Sequence, residues 1–155
     1  VSPIKIMIMA GFTIKRIIHT PADLLWEQLS NFSEPASPAL EVVIERPGDP
    51  ASHQVGAIRH LFIGGNELRE KLLRVDPQQR SFSYQLLSGA PVTNYRGTVI
   101  VREHNRHSSL VEWRVTFNPV FPWPARVIAW LGRQSVDAVL DELEKAREAE
   151  TLPAG

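Results

Sequence analysis

Cysteine is absent from this 155-residue chain. Its absence excludes disulfides, thiolate metal sites and a cysteine nucleophile, and it fits a reducing compartment, so a cytoplasmic location is expected. Net charge is absent too, because 17 Lys and Arg balance 17 Asp and Glu. A chain without a basic excess is not organised around nucleic acid or a polybasic membrane surface, although charge can still segregate locally. Long hydrophobic runs are missing. The apolar stretch near the start, residues 4–10, is broken by Lys5 and is too short for a membrane span or a signal core. The sequence also lacks a phosphate-cradling glycine loop, a dinucleotide fingerprint and a nucleophile elbow around any serine. Covalent hydrolase chemistry is therefore disfavoured, and no cofactor is expected. His104 and His107 have a metal-like spacing, but they sit in a polar turn beside Asn105 and Arg106 without further ligands, so no metal is expected. His19, His53 and His60 are scattered and read as solvated or structural.

The composition that is present, 43% apolar and 22% charged, suits one domain with a substantial core. That domain is expected over residues 11–147, between a loose N-terminal extension (1–10, with Met7 or Met9 as a natural start) and a frayed tail (148–155). A first strand is predicted over residues 12–19. Thr20-Pro21-Ala22-Asp23 then reads as a helix start, with Thr20 as cap, Pro21 in the first turn and Asp23 beside the exposed amides. Ala22, Leu25, Trp26, Leu29 and Phe32 recur at helical spacing and form one buried stripe. A short second helical turn is expected over residues 33–40, limited by Pro35 and Pro38.

From residue 41 onward, strand follows strand with period-two alternation. Gly64-Gly65 is a candidate two-residue hairpin that sets Leu61 opposite Leu68, Arg59 opposite Glu70 and Ala57 opposite Leu72. Arg59 and Glu70 share a face with apolar neighbours, whereas His60, Glu67, Arg69 and Lys71 occupy the other face. The charged pair is therefore expected to point inward. Phe82, Tyr84 and Leu86 share a face of the next strand. A final hairpin around residues 105–107 pairs Val101 with Val111, Val99 with Trp113, Gly97 with Val115 and Tyr95 with Phe117. A proline-rich connector, residues 120–124, leads into a long helix to about residue 147, with Val127, Ile128, Leu131, Val139 and Leu143 toward the sheet. Gly132 permits a close approach there, although glycine weakens a helix by roughly 1 kcal/mol. The aromatics Phe121 and Trp123 are expected to pack across one end of the domain, and their exposure would instead favour a protein contact.

The order strand, two short helices, six strands, long helix reads as an α+β domain, a curved seven-stranded antiparallel sheet closed by its C-terminal helix, and it resembles the helix-grip fold. The chain resembles the START/Bet v1-like (SRPBCC) superfamily, in particular its bacterial polyketide cyclase/dehydrase-like branch. The resemblance rests on Thr20-Pro21-Ala22-Asp23-Leu24-Leu25-Trp26, Val55-Gly56-Ala57-Ile58-Arg59, Leu68-Arg69-Glu70-Lys71-Leu72, Val75-Asp76, Phe82-Ser83-Tyr84, Pro91-Val92-Thr93-Asn94-Tyr95, and Val111-Glu112-Trp113 with Phe117. It implies a cavity between sheet and helix for small hydrophobic cargo such as a lipid, a polyketide-like or a quinone-like metabolite. These motifs identify a scaffold, which by itself hosts carriers, receptors and enzymes alike. Plant abscisic acid receptors are similar in layout, and by that analogy residues 63–66 and 88–93 flank the cavity mouth. Ala90-Pro91 departs from the receptor latch, so a gate that recruits a phosphatase is not implied.

The expected ligand-binding residues are Arg59, Glu70, Tyr84, Tyr95, Trp113 and Phe117: aromatic walls with a few polar tips, as in small-molecule sites of roughly 300 to 1,000 Å³. Two readings follow. In the favoured one the protein binds a hydrophobic molecule without transforming it, with Arg59 and Glu70 as the polar anchor. In the alternative it is a cyclase or dehydratase in which Glu70 or Tyr84 moves a proton near Arg59. The expected partner is a small molecule, with no nucleic acid and no membrane span; a protein partner has no support beyond the connector.

Overall fold

The computed structural model describes residues 10–151, with side chains to Glu148. The predicted extension, apart from Ala10, and residues 152–155 lie outside the described residues. The elements are β1 (Ala10–Ile18), α1 (Ala22–Ser30), β2 (Glu41–Arg46), β3 (Ile58–Ile63), β4 (Asn66–Asp76), β5 (Ser81–Ser88), β6 (Val92–Asn105), β7 (Ser108–Pro119) and α2 (Ala125–Thr151). All seven strands join one sheet in the order β1-β7-β6-β5-β4-β3-β2, and every pairing is antiparallel. Only the connection from β1 to β2, which runs through α1 from one edge of the sheet to the other, does not join neighbouring strands, so every later strand pairs with the one before it. Among the described residues no helix is long and apolar enough to cross a membrane.

The concave face carries the core. Leu25, Phe32, Leu72, Val99, Val101, Val111, Val115, Phe117 and Leu140 are almost completely buried. The convex face is polar and laced with ion pairs. Glu112 lies there among Arg114 (2.7 Å), Arg102 (3.2 Å) and Lys15 (3.5 Å). Desolvation pushes its carboxyl up, but the Arg102 hydrogen bond and the three cations outweigh that and hold it below the usual carboxylate range. Along β2, β3 and β4, Glu45 bonds both Arg69 and His60, and His60 also reaches Glu67. This cross-strand ladder holds Glu45 down to about 2, chiefly through the Arg69 hydrogen bond and then that of His60.

Several local expectations need correction. Thr20 does not cap α1: the N-cap is Pro21 with no side-chain cap, and Thr20 is buried with its carbonyl accepting from the Ser109 hydroxyl at 2.6 Å. In place of a second short helix, residues 31–40 form isolated turns closed by Glu34 N to Asn31 O and Leu40 N to Ser37 O. Pro35 and Pro38 supply no amide hydrogens, so a helical ladder cannot propagate through them. Helix α2 continues to Thr151 rather than ending near residue 147. Its buried stripe is Ile128, Val136, Val139, Leu140 and Leu143, whereas Val127 and Leu131 are exposed. Phe121 and Trp123 do not pack across the domain end, for they are 92% and 47% exposed. Gly132 does mark a close approach: a Cβ there would lie 2.5 Å from Cε1 of Phe12 on β1.

The helix faces separate in a mutational test. Leu140→Ala is expected to lower unfolding free energy by about 2–5 kcal/mol in urea titration, through lost burial and a residual cavity. Leu131→Ala should change it by no more than about 0.5 kcal/mol.

Candidate ligand-binding cavity

The Gly64-Gly65 turn fixes the β3–β4 register, with both glycines at positive φ, 53° and 85°. Arg59 therefore stands opposite Glu70, as Leu61 does opposite Leu68. On the concave face Arg59 Nε donates to Oε1 of Glu70 at 3.0 Å, and Nη2 lies in ion-pair contact with the same oxygen at 3.0 Å. The side chains are only 14% and 6% exposed. Burying two charges costs several kcal/mol per ion unless other contacts recover it. Here the guanidinium also donates from Nη1 to the Phe32 carbonyl at 3.4 Å and lies 3.9 Å over the Phe32 ring. Phe32 is itself held, because its amide donates to the Gln54 side chain at 3.1 Å and Gln54 donates to Ser33 at 2.5 Å. Among the described residues Arg59 is the only hydrogen-bond donor to Glu70, and its bonds end on Oε1. Oε2 has no hydrogen-bond donor among the described residues.

Next to this pair lies an aromatic block. Trp113 Nε1 donates to the Tyr84 hydroxyl at 2.9 Å, and the two rings meet edge to face at 6.3 Å. Tyr84 stands opposite Gly97, where a Cβ would come within 2.3 Å of the ring. The missing side chain is what allows the phenol to lie across β6. Burial pushes the Tyr84 hydroxyl well above its ordinary pKa, with Tyr95 and Glu70 adding to the effect. Burial raises Tyr95 as well. Both phenols stay protonated at neutral pH.

A cavity opens between this wall, residues 34–40 and α2. Arg59, Glu70, Tyr84, Tyr95 and Trp113 line it, so the structure brings together five of the six predicted residues. Phe117 is the exception. It is fully buried behind Tyr95, with the rings stacked at 6.3 Å and 21°. Val101, Val99 and Gly97 pair with Val111, Trp113 and Val115 as predicted, but an irregularity between Thr93 and Arg96 removes the regular Tyr95–Phe117 pairing. Asn94 there adopts a φ of 52°. Of the two expected mouth loops, Ile63 lines the cavity and residues 88–93 do not. The sequence reading missed Gln28, Glu34 and Ser135, which add polar groups to the wall. It also missed Gly97, although a lone glycine inside a strand signals close approach.

The cavity is small, about 60 Å³. It accommodates a few waters, and a larger guest requires the walls to separate.

A family model described as polyketide cyclase / dehydrase and lipid transport matches residues 9–148. The chain belongs to this family. Solved structures similar to this polyketide cyclase/dehydrase family member include XoxI from Bacillus cereus, 23% identical with a TM-score of 0.74, the match covering 92% of this chain and 99% of that one. A START superfamily protein from Mycobacterium smegmatis is 13% identical with a TM-score of 0.71, over 90% and 99% of the chains. A protein from Thermobifida fusca is 22% identical with a TM-score of 0.68, over 88% and 94%. At such identities the likeness establishes the helix-grip fold. No curated protein matches the sequence.

Gly97→Ala should lower stability by about 1–3 kcal/mol by overpacking against Tyr84. In a Tyr84→Ala background the same change should lose most of that effect, as a double-mutant cycle in urea would read.

Proposed function

We propose that this protein binds a small, mostly apolar molecule carrying a hydrogen-bonding group in the cavity between sheet and α2. The observation that carries the reading is the Arg59–Glu70 pair on the wall of an otherwise largely apolar cavity. Leu61, Leu68, Phe82 and Val136 offer burial for a carbon skeleton. The donor-free Oε2 of Glu70 suits a ligand hydroxyl, and the protonated Tyr95 suits a carbonyl. Lipid, polyketide-like and quinone-like molecules share this chemistry. Residues 34–40, which hold no regular ladder, are the wall with least resistance to widening.

A cyclase or dehydratase is the second reading, and the unbonded Glu70 oxygen is what favours it. In that case proton transfer falls to Glu70 rather than Tyr84, whose hydroxyl is kept protonated by burial and already accepts from Trp113.

Native mass spectrometry of protein purified from its own host tests both. Binding predicts a co-purifying apolar molecule whose affinity falls at least tenfold, about 1.4 kcal/mol, in Glu70→Gln and in the cavity-filling Ser135→Trp. Unchanged affinity in a folded Ser135→Trp protein would contradict it. Turnover that is lost in Glu70→Gln while binding persists would instead establish the enzyme.

A further inference from the structure

The exposed aromatics that packing does not use are concentrated in one place. Phe121 is 92% exposed, Trp130 59%, Trp123 47%, Leu131 44% and Val127 36%. Val127 and Trp130 lie one turn apart on α2 with Leu131 adjacent, and Phe121 and Trp123 lie in the turn just before the helix. The opposite side of the helix is already committed to the sheet through Ile128, Val136 and Val139. The stripe is therefore an additional face.

Charge around the stripe is segregated. Residues 120–136 contain Arg126 and Arg133 and no acidic residue, in a chain whose charges otherwise balance; the acids of α2 begin at Asp137. Arg126 and Arg133 fall four residues before and three after Trp130, so they flank it on the same side of the helix. Both are exposed, and among the described residues neither takes part in an ion pair, although the Arg133 guanidinium also lies 5.6 Å from the Phe12 ring centroid.

We propose that residues 120–136 seat the protein on an anionic lipid bilayer. The indole and phenyl rings enter the headgroup region, and the two guanidiniums meet lipid phosphates. Indole is suited to that boundary because an apolar ring carries a polar N–H, and arginine can remain at the phosphate level while its stem covers apolar surface. A second copy of the chain is a poorer occupant. Two such faces related by a two-fold axis would set Arg126 and Arg133 against the same cations without an acid between them. The position on α2 adds a consequence: the Ser135 hydroxyl, which lines the cavity, donates to the Leu131 carbonyl at 3.2 Å. The membrane face and the cavity are thus one helical turn apart.

Flotation with phosphatidylcholine vesicles, with and without phosphatidylglycerol, tests the proposal without any cavity ligand. Binding is expected to vesicles containing the anionic lipid, to weaken as salt rises, and to fall at least tenfold in Phe121→Ala/Trp130→Ala and in Arg126→Glu/Arg133→Glu. The aromatic variant should keep the wild-type unfolding midpoint because its side chains are exposed, and the arginine variant, which gives up only the long contact of Arg133 with Phe12, should remain folded by the same urea titration. Absence of flotation with either lipid mixture would overturn it, as would equal binding by the wild type and both folded variants. A concentration-dependent dimer that is lost in the aromatic variant, without vesicle binding, would overturn it in favour of self-association. Because the assay omits the cavity ligand, its failure leaves the ligand-binding reading separately testable.

Discussion

A guanidinium and a carboxylate face each other on the concave side of the sheet, where most of the neighbouring side chains are apolar. Much of the surrounding structure meets the electrostatic demand that this creates. Arg59 donates to Glu70 through Nε, keeps Nη2 in ion-pair contact with the same oxygen and donates to the Phe32 carbonyl through Nη1, and its cation lies over the Phe32 ring. Phe32 can serve because Gln54 holds its amide, and Gln54 sits in a turn at a φ of 70°. The segment after α1, the turn before β3 and the β3–β4 hairpin are thereby tied to one buried charge pair. Apolar residues of similar volume would fill the same wall with less desolvation, so the charges point to a use beyond packing.

The aromatic block determines the shape of what remains. Trp113, Tyr84, Tyr95 and Phe117 form a continuous ring-to-ring series, and Gly97 lets Tyr84 lie flat across β6. These rings leave a narrow space beside the ion pair rather than a broad chamber. The strands below them are cross-linked by antiparallel ladders, while residues 34–40 on the far wall carry no ladder and are closed by the turn from Leu40 N to Ser37 O. Accommodation of a guest is therefore most economical on that side.

The sheet was legible in the sequence because its registers are set locally. A two-glycine turn and strict alternation place Arg59 against Glu70, and the same logic carries the last hairpin from Val101 back to Gly97. It stops at Asn94 and Tyr95, where an irregularity shifts the pairing and puts Phe117 behind the wall. Helical readings failed where tertiary context decides. Thr20 reads as a cap, yet the fold buries it and gives its carbonyl to Ser109, a contact 89 residues away in sequence. The N-terminal half of α2 is apolar on two sides, so periodicity alone cannot tell Ile128, which is buried, from Val127 and Leu131, which are not. Glu34 and Ser135 reach the cavity from elements distant in sequence, with no local pattern to announce them.

Helix α2 consequently has two different faces: it closes the cavity with one and presents Trp130 and two arginines with the other. The central claim concerns the first side, that the Arg59–Glu70 pair serves a ligand rather than the fold. The direct measurement is the double substitution Arg59→Met/Glu70→Leu, read for stability by urea unfolding and for affinity toward the co-purified molecule by calorimetry. The account predicts stability that is unchanged or raised by about 1–4 kcal/mol, with affinity reduced at least tenfold. A double variant that loses stability yet binds as tightly as the wild type would contradict it.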